Sequence, residues 1–238
     1  MTFSPSTLVA DVVLEHPECA LVFRAHKIDF CCGGRIPLTE AAAQRGLTVD
    51  ALTKELDSAV ASRIAPPPTD LRSLDTPALL EHIKSRHHAY LRRTLPVLVE
   101  MSAKVGRVHG DHDPALRTVA TIVDKLAREL LAPLDREEKV IFPYFMSFHA
   151  TKVIAPALQA ELDEMQNEHL AVGAALSELR SLTRDYIVPS WACATYRTML
   201  SELANCETDT HLHVHLENNV LVQRVNWKPT AAAQSATN

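Results

Sequence analysis

The 238-residue sequence predicts an all-α protein, and three observations carry that expectation. Glycine is scarce at 6 residues, and aromatic side chains make up only 5%. Ala, Leu, Glu and Arg, which are good helix formers, are frequent. Four long segments place apolar residues at alternating steps of three and four, the rhythm of a helix that buries one face.

Before residue 62 the segments Thr7 to Glu15, Glu18 to His26, Thr39 to Arg45 and Thr48 to Ala61 read as short helices. Thr39 and Thr48 are expected N-caps, and Gly46 is an expected helix stop. Between the second and third lies Asp29-Phe30-Cys31-Cys32-Gly33-Gly34-Arg35, read as an irregular loop. The run Ala65-Pro66-Pro67-Pro68-Thr69-Asp70 removes three backbone donors and favours an extended spacer. The expected organisation is a small helical domain over 1–62, a linker over 63–75, a four-helix bundle over 76–228 and a disordered tail over 229–238.

In the bundle, Thr76-Pro77 and Asp113-Pro114 each look like an N-cap followed by a first-turn proline. Helices are expected near 77–107, 114–148, 156–184 and 190–226. The third shows the packing logic best, with Leu158, Leu162, Met165, His169, Val172, Leu176 and Leu179 on one stripe. Leu116, Val119, Val123, Leu126, Leu130, Pro133, Glu137 and Ile141 form the stripe of the second. Met199, Leu203, Cys206, Thr210, His213, Glu217, Val220 and Arg224 form that of the fourth. The first carries Leu80, Ile83, Leu91, Leu95 and Leu98, and periodicity does not choose between His87 and His88 as its inward imidazole.

Each helix therefore turns a His or Glu toward the core. A buried ionised carboxylate without a compensating charge is too costly to keep, so two of them beside three imidazoles imply either protonation or a cation, and a metal is the simpler answer. Imidazole with carboxylate suits iron, manganese or zinc, and inward carboxylates on helices that also supply His are how bundles hold paired metals. His211 and His215 are read as surface residues, as is whichever of His87 and His88 does not face inward; Glu138 is read as solvated, and Cys193 and Cys206 as small core hydrophobes.

Cys31 and Cys32 call for a separate argument. Adjacent Cα atoms lie about 3.8 Å apart, below the usual disulfide range, so a free thiol pair is expected. Flanking Lys27 and Arg35 would lower a thiol pKa and favour a soft ligand or a nitrosation target.

Other function classes are excluded by composition. A net charge of −5 offers no broad footprint for nucleic acid or an anionic membrane. The N-terminus lacks a secretory pattern, and five cysteines with two adjacent suit a reducing compartment, so the cytoplasm is expected.

His88 in Arg86-His87-His88-Ala89-Tyr90, Glu137 in Arg136-Glu137-Glu138-Lys139-Val140-Ile141-Phe142-Pro143, Glu168-His169, and His213-Val214-His215-Leu216-Glu217-Asn218-Asn219-Val220-Leu221 resemble the bundle motifs of the iron–sulfur cluster repair di-iron proteins. The Cys31-Cys32 loop is similar to that family's small cysteine-bearing domain. The resemblance implies a hemerythrin-like bundle holding two non-haem irons, with His88, His169 and His213 as terminal ligands and Glu137 and Glu217 as bridges. It also implies Cys31 and Cys32 as redox or iron-transfer thiols. Pro133 stands where the family has a further His, which leaves the second iron one ligand short. The implied function is a nitric oxide and oxidative stress response that binds or reduces nitric oxide, or supports repair of damaged iron–sulfur clusters. A homodimer is compatible with it. Two competing readings are a carrier or sensor of oxygen or nitric oxide without turnover, and a metal-free regulatory protein.

Overall fold

A computed structural model describes residues 3–63, 70–153, 155–225 and 227. It is helical throughout: among the described residues, β-pairing amounts to an isolated bridge between Leu8 and Pro37. None of the described helices is long and apolar enough to cross a membrane. Pro66 to Pro68, which suggested the linker, and the tail over 229–238 lie outside the described residues.

Two compact units emerge. One contains the described residues through Asp75 and the stretch that begins at Val214; the other runs from Thr76 to His213.

The first unit holds α1 (Val9–Glu15), α2 (Ala20–Ala25), α3 (Leu38–Gln44) and α4 (Val49–Ala61). Val9, Val12, Phe23, Leu38, Leu52 and Leu56 are fully buried and make its core. Thr48 caps α4 as expected, its hydroxyl accepting from the Ala51 N–H at 3.2 Å. Thr39 does not cap α3, which starts one residue earlier after Pro37. Proline's fixed φ suits a helix entry without any side-chain cap. Gly46 adopts φ +69° and ends α3 as expected. Gly34 is required for a different reason, because a side chain there would run into the Phe30 carbonyl. The close approach lets the Gly34 carbonyl accept from the Ala10 N–H at 2.8 Å and pins the cysteine loop against α1.

The second unit is the bundle. Its first long helix comprises α5 (Thr76–His82), a π-helical stretch Ile83–His88 and α6 (Ala89–His109). Its second comprises α7 (Ala115–Arg136), a π-helical stretch Glu137–Ile141 and α8 (Phe142–Thr151). The third is α9 (Leu158–Leu182). The fourth is the part of α10 (Ala194–Leu216) up to His213; from Val214 the helix belongs to the first unit and runs on into a π-helical stretch Glu217–Leu221. At the entry to α7, Asp113 accepts from the Ala115 N–H at 3.2 Å, the cap that Asp113-Pro114 predicts.

The expected stripe of α9 is buried at every position from Leu158 to Leu179. In α7 the stripe passes through Leu130, Leu134 and Glu137, and Pro133 beside it is only half-buried. Leu91, Leu95, Leu98, Val123, Leu126, Leu176, Met199 and Leu203 fill the core between the helices. Burying side chains of this size contributes about 1.5–3 kcal/mol each, so this apolar interior is the main support for the polar residues held at one end of it.

Candidate metal centre

Each of the three π-helical stretches carries a residue of the candidate site at one of its ends. His88 is the last residue of Ile83–His88, Glu137 the first of Glu137–Ile141, and Glu217 the first of Glu217–Leu221. A π turn inserts one extra residue and re-aims the side chains that follow, which is why such turns gather at functional sites. It also explains why periodicity could not choose between His87 and His88. Both are buried, at 4% and 0% exposure.

The structure brings His88, Glu137, His213 and Glu217 together, with one ligand atom from each lying within 4.8 Å of all the others. None of the four is more than 2% exposed. His88 Nε2 lies 3.3 Å from Glu137 Oε2 and 3.1 Å from His213 Nε2. Two imidazole nitrogens that face each other at this distance repel as lone pairs unless a proton or a cation lies between them. Neighbouring donors around an ion with metal–nitrogen bonds of about 2.1 Å have this same spacing, and a cation also offsets the repulsion of two buried carboxylates. The donor set therefore fits a metal.

Surrounding groups orient the imidazoles. His88 Nδ1 lies 2.8 Å from Glu138 Oε1, and Glu138 in turn accepts from Arg92 at 2.6 Å. Glu138 is thus a working partner of the site, where the sequence suggested a solvated residue; the Arg92 and His88 contacts hold its carboxyl below the usual range against the opposing effect of burial. His87 is likewise buried and not at the surface. Its Nδ1 lies 3.1 Å from Asp209 Oδ1, and its ring stacks on that of His213 at 5.8 Å. Phe142 stacks on His88 at 5.5 Å and adds apolar cover.

His169 is buried on α9 but is not one of the four converging residues. Its neighbour Glu168 accepts from Arg136 at 2.6 Å, and burial raises the Glu168 pKa.

The loop of Cys31 and Cys32 is built around Asp29. The Asp29 carboxylate accepts from the N–H groups of Cys31, Cys32 and Gly33, each at 2.9 Å. Both thiols are free, with Cys31 buried and Cys32 half-exposed. The expectation of a depressed pKa fails for Cys31: its hydrogen bond with Cys32, burial and nearby Asp29 all push it up.

Three residues after His213 hold this loop. His215 Nδ1 donates to the Phe30 carbonyl at 3.0 Å, and Asn219 and Asn218 donate to the Cys31 carbonyl at 2.9 and 3.2 Å. His215 is 1% exposed, contrary to its surface assignment. The helix is covered on this side too, which a single hydrophobic stripe does not reveal. Cys193 is the opposite case, exposed and not in the core, with its sulfur 3.2 Å from His109 Nε2.

A bundle with buried imidazoles and carboxylates converging on one point is a cation-binding protein in class, and residues 79–225 match the hemerythrin HHE cation binding domain. Residues 6–60 match ScdA_N, a domain of unknown function. The chain is 30% identical over 223 residues to the iron-sulfur cluster repair protein ScdA of Staphylococcus haemolyticus, covering 92% of this chain and 97% of that one. It is 34% identical over 209 residues to the iron-sulfur cluster repair protein YtfE of Yersinia pseudotuberculosis serotype O:1b, covering 87% and 91%. The chain belongs to this family of iron–sulfur cluster repair proteins with a hemerythrin-like domain.

Proposed function

We propose that the chain is a cytoplasmic non-haem iron protein of the nitric oxide and oxidative stress response that supports repair of damaged iron–sulfur clusters. One observation carries the reading: a single chain combines a buried imidazole–carboxylate quartet with a two-thiol loop. A simple carrier of oxygen or nitric oxide has no use for the second feature.

His88, Glu137, His213 and Glu217 are the residues that would hold the first iron. His169 is the residue that would hold a second iron, and Pro133 offers it no side-chain donor. Ferrous iron bound there supplies a centre that can take a diatomic ligand such as nitric oxide or oxygen. Glu138 keeps the proton of His88 on Nδ1, so that Nε2 presents its lone pair to the site. Asp209 orients His87 against His213 in the same way. Phe142 and the apolar stripes below keep water out. Damaged iron–sulfur proteins are then the partners, and iron is the cargo.

The test uses iron-loaded protein, prepared without oxygen and mixed with a cluster enzyme inactivated by nitric oxide. Recovery of that enzyme's activity is expected with wild type and not with Glu217→Ala. Equal recovery with the variant, or stoichiometric nitric oxide binding without any recovery, overturns the reading.

A further inference from the structure

Cys193 and His109 form a thiol–imidazole pair in the bundle that the metal centre does not use. Cys193 Sγ lies 3.2 Å from His109 Nε2, and Cys193 is the exposed one of the five cysteines. Helix α6 is 21 residues long, which puts His109 at its far end, about 30 Å from His88. The pair is therefore remote from the imidazole–carboxylate quartet.

Local structure holds the two groups together. The Cys193 carbonyl accepts from the Arg197 N–H at 3.0 Å, so Cys193 is the residue that opens α10. Arg197 Nε donates to the Ala192 carbonyl at 3.0 Å and fixes the segment just before it. A negative charge on the sulfur would face the positive end of a 23-residue helix. The imidazole is held from its other side, packing against the rings of Trp191 at 5.7 Å and Tyr196 at 6.0 Å. Nucleophilic cysteines occur in such surroundings: accessible, at a helix N-terminus and beside a base. A cleft of about 300 Å³ adjoins the pair, lined by His112, Arg184, Ile187, Pro189, Trp191 and Tyr196. Ile187 and Trp191 expose apolar surface along it, and Arg184 adds a guanidinium. That lining suits a small molecule that carries carboxylates.

We propose that Cys193 is a redox modification site, with His109 as its base, which takes a small carboxylate-bearing disulfide such as an oxidised cysteinyl peptide. His109 Nε2 accepts the thiol proton, and the Cys193 thiolate attacks one sulfur of the incoming disulfide. That S–S bond breaks and a new one forms between Cys193 and the attacked half. The other half leaves as a thiolate and takes the proton from His109. Cys193 is oxidised and the leaving half reduced, so the disulfide itself is the oxidant. Excess small thiol reverses the exchange by the same route. The site depends on neither the metal assignment nor the cluster-repair reading.

Glutathione disulfide is the probe, added to reduced full-length protein, with peptide mass mapping to follow the adduct at each cysteine. A mixed disulfide on the peptide that carries Cys193 is expected, and excess reduced glutathione should remove it. An unassisted cysteine is only on the order of a few per cent thiolate near neutral pH, so His109→Gln should slow adduct formation at Cys193 about tenfold. Arg184→Ala should slow the reaction with glutathione disulfide more than that with cystamine, a disulfide without carboxylates. Circular dichroism checks that both variants stay helical. Absence of the Cys193 adduct in wild type overturns the proposal, as does an unchanged rate in folded His109→Gln. Equal effects of Arg184→Ala on the two disulfides overturn the carboxylate preference.

Discussion

His88 Nδ1 and Glu138 Oε1 are 2.8 Å apart, and this contact decides which nitrogen of His88 faces the candidate metal centre. Metal-bound imidazoles usually donate their other N–H to such a partner. Glu138→Ala should therefore keep the fold but weaken iron affinity by about 10–100-fold. Competition with a chelator measures this, and unchanged affinity would reduce Glu138 to a surface ion pair with Arg92.

The thiols should divide by exposure. Cys19 and Cys206 are buried, and burial pushes each up to about 12. Cys31 is buried, Cys32 half-exposed and Cys193 exposed. In native metal-free protein a thiol-specific chromogenic reagent should label Cys32 and Cys193 quickly, and the other three only after unfolding. Rapid labelling of Cys206 would mean that the bundle core opens readily.

His215 should make the metal-free fold sensitive to acid. Burial lowers its pKa from 6.5 to about 4, against opposing contributions from the Phe30 carbonyl and Asp29. Between those values the unfolded chain binds the proton and the folded chain does not. The neutral ring's contribution is fully present above about pH 6.5 and is lost as pH falls toward 4, by about 3 kcal/mol in all. Denaturant unfolding of wild type and His215→Gln as a function of pH checks this. The wild-type curve should fall more steeply through that window, and parallel curves would contradict the assignment.

Glu207 is buried at 1% exposure and makes a two-pronged ion pair with Arg180 in the bundle. Removing Glu207 leaves Arg180 with the exposed Asp185, 3.2 Å away, as its remaining carboxylate partner, so Glu207→Ala should cost somewhat less than the roughly 3–5 kcal/mol of a fully buried pair. Arg180→Met combined with Glu207→Leu should recover much of that loss, as chemical denaturation of the single and double variants will show.

Much of this was legible in the sequence because helices write their packing into a regular spacing. The α9 stripe from Leu158 to Leu179 and the inward placement of Glu137, His213 and Glu217 follow from steps of three and four alone. What escaped was whatever broke that spacing or came from another segment. The π turn at Ile83–His88 buries both His87 and His88, and no fixed period describes it. His215 and Glu138 seemed exposed because a periodicity reads one buried face per helix. The cover over them comes from Phe30 and from Arg92, which are remote in sequence. Cys193 failed for a simpler reason: it precedes the first turn of α10, where helical phase says nothing about burial.

The central claim is that His88, Glu137, His213 and Glu217 hold a metal. Its most direct test is the iron content of Glu217→Ala and His213→Ala against wild type, all purified without oxygen from iron-supplemented cells, with circular dichroism to confirm that each remains helical. Wild type should carry iron, and each variant should lose most of it while staying folded. Folded variants with wild-type iron content would contradict the account.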